Sequence, residues 1–185
     1  MSRTITENLF GTHFFSKYYL TILGVILLTV SSKISIPFYP VPMTLQTLVV
    51  YFIAASMGMV GFYSTFIYVV LGTLGLPIFA NGGGIGYIFS PTFGFLYGMV
   101  VAAFFISFIF NKEVSTNLIK LSLTIFNGAL IIFLCGLSHL SFFIGFEQAV
   151  TVGLIPFLYS EFLKILLAIV IIFGLIQRVN TKNHK

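Results

Sequence analysis

The 185-residue chain reads as an all-α membrane protein: one six-transmembrane-helix bundle over residues 1–185, both termini cytoplasmic, with long outer loops. Three observations predict this. The chain is 58% hydrophobic and 7% charged, with a mean hydropathy of +1.11, which excludes an ordinary water-soluble domain. Its apolar residues form continuous runs rather than alternating, which disfavours a membrane β-barrel. Finally, six crossings that start inside put Arg3, Lys17, Lys112, Lys120, Arg178, Lys182 and Lys185 on the inner side, Lys33 alone outside, and Lys164 within a helix. Seven against one follows the positive-inside rule. The net charge of +5 is therefore a topology signal and not a nucleic-acid footprint.

The first run, residues 18–30, follows Arg3 and Lys17 as a signal peptide would. No A-x-A-like cleavage site follows, since Val30-Ser31-Ser32 imitates one weakly, so the run reads as a retained helix. Residues 33–43 carry Pro37, Pro40 and Pro42 around Phe38 and Tyr39. Each proline fixes its own φ and pushes its predecessor toward extended geometry, so a stiff, non-helical loop is expected. Thr44 can cap the second run, residues 45–57. A tight inner turn around Gly58 leads to the third run, residues 60–74, and an outer loop over 75–90 follows. Ser90-Pro91 supplies a capping oxygen and a proline for the start of the fourth run, residues 93–110. A short inner connection, 111–117, precedes the fifth run, residues 118–134. A third outer loop is expected over 136–155, and Pro156 suits the first turn of the sixth run, residues 157–176. Cys135 is the only cysteine, which permits no internal disulfide and reads as a small buried hydrophobe.

Three stretches interrupt the apolar pattern: IPFYPVPMTLQT (36–47), GLPIFANGGGIGYIFSPTFGFLYG (75–98) and PFLYSEFLK (156–164). They hold all six prolines and most of the polar side chains between apolar segments. Polar groups near membrane depth are expensive and usually mark a site, and long loops on one face tend to carry function. The outer face is the candidate binding face. After Asn81, the residues Gly82, Gly83, Gly84 and Gly86 let backbone approach a ligand closely. Tyr87 stands where the last glycine of G-x-G-x-x-G would fall, and no phosphate-cradling loop is present, so a nucleotide site is unsupported.

Glu161 and Lys164 share one helix face at i, i+3. They form either a structural ion pair, with Lys164 snorkelling, or a polar clamp whose carboxylate accepts N–H bonds while the ammonium donates to a carbonyl or anion. His139 beside Ser138 raises an intramembrane hydrolase. Adjacent residues cannot span a site as nucleophile and base, and no G-x-S-x-G occurs, so His139 reads as a loop histidine. His13 and His184 are terminal. Glu113 and Glu147 are isolated and the chain has no aspartate, so neither a metal cluster nor a carboxylate pair finds residues.

The succession PVPMTLQT, GLPIFANGGG, SPTFGFLYG resembles the biotin-specific substrate-binding (S) components of energy-coupling factor (ECF) transporters, the BioY family, over residues 18–176. The resemblance implies a multi-pass protein of the bacterial plasma membrane that binds biotin for uptake, without catalytic activity. It implies no cofactor, biotin being the transported ligand, and as partners a transmembrane coupling protein with two ATPases. Thr44 and Gln46 fall in the family's TLQT element, Asn81 with Gly82, Gly83 and Gly84 in its glycine loop, and Glu161 with Lys164 in its acidic-x-x-Lys element. The acidic position is usually aspartate; here Tyr159-Ser160-Glu161 replaces PGD. The small-residue face of the first helix is also poorly kept, with Thr21 and Gly24 but no A-x-x-x-A. Biotin's ureido ring offers two N–H donors and a carbonyl, and its apolar remainder wants walls that Phe38, Phe79, Tyr87 and Phe93 could provide. The rivals are an S component for another vitamin, an intramembrane enzyme using His139, and a self-sufficient facilitator.

Overall fold

The computed structural model describes Ile5, residues 14–112 and residues 117–183. Arg3, His13, Glu113, His184 and Lys185, which carried parts of the charge and site arguments, lie outside the described residues. In chain order the elements are α1 (Phe14–Lys33), β1 (Ser35–Ile36), β2 (Met43–Thr44), α2 (Gln46–Met57), α3 (Met59–Thr73), a 3-10 turn (Ile85–Phe89), α4 (Phe93–Lys112), α5 (Leu118–Ile144), α6 (Phe146–Gly153) and α7 (Ile155–Asn183). Every apolar run expected to be helical is helical. Among the described residues, three helical segments are long and apolar enough to cross a membrane: Phe93–Phe110, Leu118–Ile144 and Ile155–Val179.

α2 and α3 are shorter, at 12 and 15 residues. Their rise is about 18 and 22 Å, against a hydrocarbon core of roughly 30 Å. Gly58, with φ of 58° and ψ of −134°, ends one and starts the other. That conformation is open to glycine and closed to most side chains, so the reversal takes a single residue. Asn117 starts α5, its side-chain oxygen accepting the amides of Ile119 and Lys120 at 2.9 and 3.4 Å.

α1 packs on α2 and α3, α3 on α4, and α2 on both α4 and α7, while α4 and α5 form the most extensive pair. Small residues let those two approach: a Cβ on Gly136 would lie 2.3 Å from the Phe95 ring. The buried core runs through Tyr51, Ile53, Ile106, Leu121, Ile125 and Ile132. The outward faces are apolar too, as Leu123, Phe126, Leu130 and Leu134 show along α5. A surface of this kind suits lipid, not water.

Three expectations need correction. The segment 136–155 is not a long loop: α5 continues to Ile144, and after Gly145 (φ 82°) the chain forms α6. Its polar residues bond within the helix, Ser141 donating to the Ser138 carbonyl at 2.7 Å, so polarity here did not mean loop. His139 is accordingly helical, its Nε2 lying 3.1 Å from the Ser90 carbonyl oxygen. Ser90 does not cap α4 with its side chain. Its hydroxyl donates to the Tyr87 carbonyl at 2.7 Å and its own carbonyl accepts the Phe93 amide at 3.1 Å, so α4 begins at Phe93, two residues past Pro91. Cys135 is half-buried, not enclosed.

Candidate functional site

The loop between α1 and α2 is a hairpin in which Ser35 pairs with Thr44 and Ile36 with Met43, and its Tyr39–Pro40 peptide is cis. This hairpin delivers Val41, Pro42 and Thr44 to the mouth of a cavity. Gln46 and Thr47 join them from α2, Phe79, Ala80 and Tyr87 from the 75–90 loop, and Phe95, Leu96 and Met99 from α4. α5 and α7 complete it with Ile132, Phe133, Phe157, Glu161 and Lys164. The envelope is about 570 Å³, of which about 50 Å³ is free for the centre of a water molecule. The free part holds only a few waters and falls well short of an ordinary small-ligand site. The walls are therefore closed together, and a ligand must part them.

The polar end of the cavity is built on α2 and α7. Lys164 Nζ lies 2.6 Å from Glu161 Oε2 and donates to Thr47 Oγ1 at 2.9 Å and to the Thr44 carbonyl at 3.1 Å. Glu161 also accepts the Thr47 hydroxyl on Oε2 at 3.0 Å and the Tyr51 hydroxyl on Oε1 at 2.6 Å. Both charged side chains are buried, with exposures of 4% and 7%. Two ions so placed need mutual pairing and further hydrogen bonds to offset desolvation, and here they have both. An ammonium has three donors, and all three are engaged. Among the described residues, no buried side-chain nitrogen or oxygen lacks a partner. A further acceptor reaching Lys164 must displace or share a hydrogen with one of these three partners, of which the Thr44 carbonyl has the longest contact.

The wall opposite is held by a second network. Gln46 Nε2 donates to the Tyr68 hydroxyl at 2.9 Å, and Tyr68 donates to the Ile78 carbonyl at 3.0 Å. The Thr44 hydroxyl donates to Gln46 Oε1 at 3.1 Å and accepts the Gln46 amide at 3.3 Å. From α1, Ser32 donates to the Ile78 carbonyl at 2.7 Å and Lys33 to the Phe79 carbonyl at 2.6 Å. Phe79 is fully buried between the rings of Tyr68 and Tyr87, at centroid distances of 5.4 and 4.8 Å.

Of the residues expected in the site, the fold brings Thr44, Gln46, Tyr87, Glu161 and Lys164 to one cavity. Asn81, Gly82, Gly83 and Gly84 do not line it. Gly82 forms a bridge with Phe79, and the Gly84 amide donates to the Gly72 carbonyl at 2.8 Å. Gly82 and Gly84 have φ of 110° and 112°, and a Cβ on Gly83 would lie 2.1 Å from the Leu76 carbonyl oxygen. These glycines fold the loop tightly enough to press Phe79 and Tyr87 inward. Among the expected aromatic walls, Phe79 and Tyr87 line the cavity, whereas Phe38 and Phe93 do not. Phe38 is 43% exposed and leans on Phe157 at 6.3 Å, and Phe93 packs near Tyr97 and His139. Phe95, Phe133 and Phe157 take their place.

Sequence reasoning places Thr47 with Thr44 and Gln46 at the mouth of the second helix without giving it a role, and it misses Tyr51 and Tyr68. Thr47 and Tyr51 stand four apart on an apolar helix, a spacing that puts both hydroxyls on one face and could have flagged them. Nothing in the sequence pairs Tyr68 with Gln46, 22 residues away. No group of three His, Cys, Asp or Glu among the described residues could hold a metal ion.

The BioY family model matches residues 5–181 of this chain. The probable biotin transporter BioY of Pyrococcus horikoshii is 36% identical over 154 residues, covering 82% of this chain and 91% of that protein. The biotin transporter BioY of Thermotoga maritima is 36% identical over 148 residues, covering 78% and 86%. In fold, the chain is similar to the crystal structure of the S-component for biotin from an ECF-type ABC transporter, with a TM-score of 0.77 over 87% of this chain and 90% of that one. The identity in that comparison is 22%, so the likeness is one of architecture.

Proposed function

The chain belongs to the BioY family, and on that premise we propose that it is the membrane-embedded, biotin-binding specificity subunit of an ECF-type vitamin uptake system. One observation carries the reading: an apolar, aromatic-walled cavity has a single charged corner, Glu161 with Lys164, flanked by the amide of Gln46. A ureido ring presents two N–H donors and one carbonyl. A carboxylate can take a donor, an ammonium can serve the carbonyl, and a carboxamide can do either. The thiophane ring and valeryl chain require walls such as Phe79, Tyr87, Phe95 and Phe157.

The helices α1, α2, α3, α4, α5 and α7 form the six crossings of this proposal, with both termini inside and α6 lying along the outer face. The distribution of basic residues supports that orientation. Thr44, Gln46, Tyr87, Glu161 and Lys164 contact the ligand, and Asn81 with Gly82, Gly83 and Gly84 closes the loop over it. The subunit performs no chemistry. ATP hydrolysis belongs to two ATPase partners, joined to this subunit through a transmembrane coupling protein, since the chain carries no phosphate-cradling loop. Titrating biotin into the purified protein tests the reading, with saturable binding expected. Saturable binding of a different vitamin, with none of biotin, would overturn it.

A further inference from the structure

The buried carboxylate of Glu161 is held from behind. Tyr51 is fully buried on α2 and does not line the cavity, whereas Glu161 does. The Tyr51 hydroxyl donates to Oε1 at 2.6 Å, while Oε2 takes the Thr47 hydroxyl at 3.0 Å and faces the Lys164 ammonium at 2.6 Å. A carboxylate has about four acceptor positions, two on each oxygen. Three are filled, which leaves one, on Oε1. The tyrosine hydroxyl is the direct hold on Oε1, because both other donors act on Oε2, and one oxygen held alone leaves the carboxylate plane more freedom than two.

We infer that Tyr51 is a positioning residue for ligand recognition: its hydroxyl fixes Glu161 so that one open acceptor position on Oε1 faces the cavity. The carboxylate then receives one N–H of the ligand and not two, and the second donor goes to another acceptor, for which Gln46 Oε1 is at hand. This rests on the biotin reading only for the identity of the donor; the orientation of the carboxylate is a property of the protein alone. The tyrosine ring is fully buried in the core, so Tyr51→Phe removes the hydroxyl without emptying the space.

Two measurements test the inference. The first is a double-mutant cycle on biotin affinity with Tyr51→Phe, Glu161→Gln and the double variant. Tyr51→Phe should weaken binding by at least about tenfold, the effect of one charge-assisted hydrogen bond. The double variant should bind no worse than Glu161→Gln, because the tyrosine acts only through the carboxylate. Unchanged affinity in Tyr51→Phe, or a loss that adds in full to that of Glu161→Gln, overturns the inference. The second measurement needs no ligand. With carboxylate-labelled glutamate, the infrared stretch that disappears in Glu161→Gln should shift in Tyr51→Phe; an unmoved band overturns the positioning role even if affinity falls. A shifted band in a protein that ignores biotin keeps the positioning and refutes the biotin reading.

Discussion

Removing the Lys164 ammonium separates a binding clamp from a structural ion pair. Lys164→Ala deletes three contacts at once, to Glu161, Thr47 and the Thr44 carbonyl. It leaves a buried carboxylate with two hydroxyl donors and no counter-charge. Breaking a buried pair from one side costs about 3–5 kcal/mol, so the melting temperature falls under either role. Affinity is what distinguishes them. If the ammonium serves the ligand carbonyl, losing one charge-assisted bond of about 1.5–3 kcal/mol lowers biotin affinity roughly tenfold to a hundredfold. Lys164→Met, which retains most of the side-chain volume, should lose as much affinity as alanine, because the deficit is one of charge and not of packing. The assay is calorimetric titration of both variants beside melting curves with and without biotin, since a bound ligand raises the melting temperature only as far as it still binds. Wild-type affinity in a variant with a lowered melting temperature would refute the clamp and leave a purely structural pair.

Glu161→Asp keeps a negative charge beside Lys164 and should bind biotin far better than Glu161→Gln, which removes the counter-charge of the ammonium and turns one acceptor oxygen into a donor; equal losses in the two titrations would contradict this. Gly83→Val places a branched side chain against the Leu76 and Gly72 carbonyls and should abolish most binding while insertion, read by membrane fractionation, is unchanged. Gly72→Ala puts a Cβ 2.2 Å from the Phe79 ring and should push that ring out of the cavity wall, weakening biotin by about tenfold or more if one large apolar contact is lost; an unaltered isotherm would show that the wall tolerates it. Reporters fused at the C-terminus and within the 75–90 loop should report opposite sides of the membrane, and a C-terminus found outside would invert the proposed orientation.

The sequence made the helical scaffold legible because lipid imposes one simple demand, uninterrupted apolarity, which the three long segments on α4, α5 and α7 meet in full while α2 and α3 meet it over a shorter length. The polar corner was legible for the complementary reason: Glu161 and Lys164 stand out where charge is costly. The glycine loop was only half readable. A run such as Gly82-Gly83-Gly84 announces close backbone approach without saying to what, and in the structure Gly83 presses on Leu76 and Gly72. The 136–155 segment was misread since Ser138, His139 and Ser141 resemble loop residues, yet bonds from side chain to backbone leave a helix intact around them. Tyr68 was illegible for a different reason: its value lies in meeting Gln46 and Ile78, and only the packing of α2 beside α3 creates that meeting.

The grip of α1 on the 75–90 loop makes a lever of that helix. Ser32 and Lys33, at its last turn, hold consecutive carbonyls 46 residues further along, and the second belongs to Phe79, whose ring is a wall of the cavity. A helix of 20 residues is stiff over about 30 Å, so a tilt imposed at one end arrives at the other nearly undiminished. Whatever leans on the far end of α1 therefore pulls on that wall of the cavity through two short hydrogen bonds.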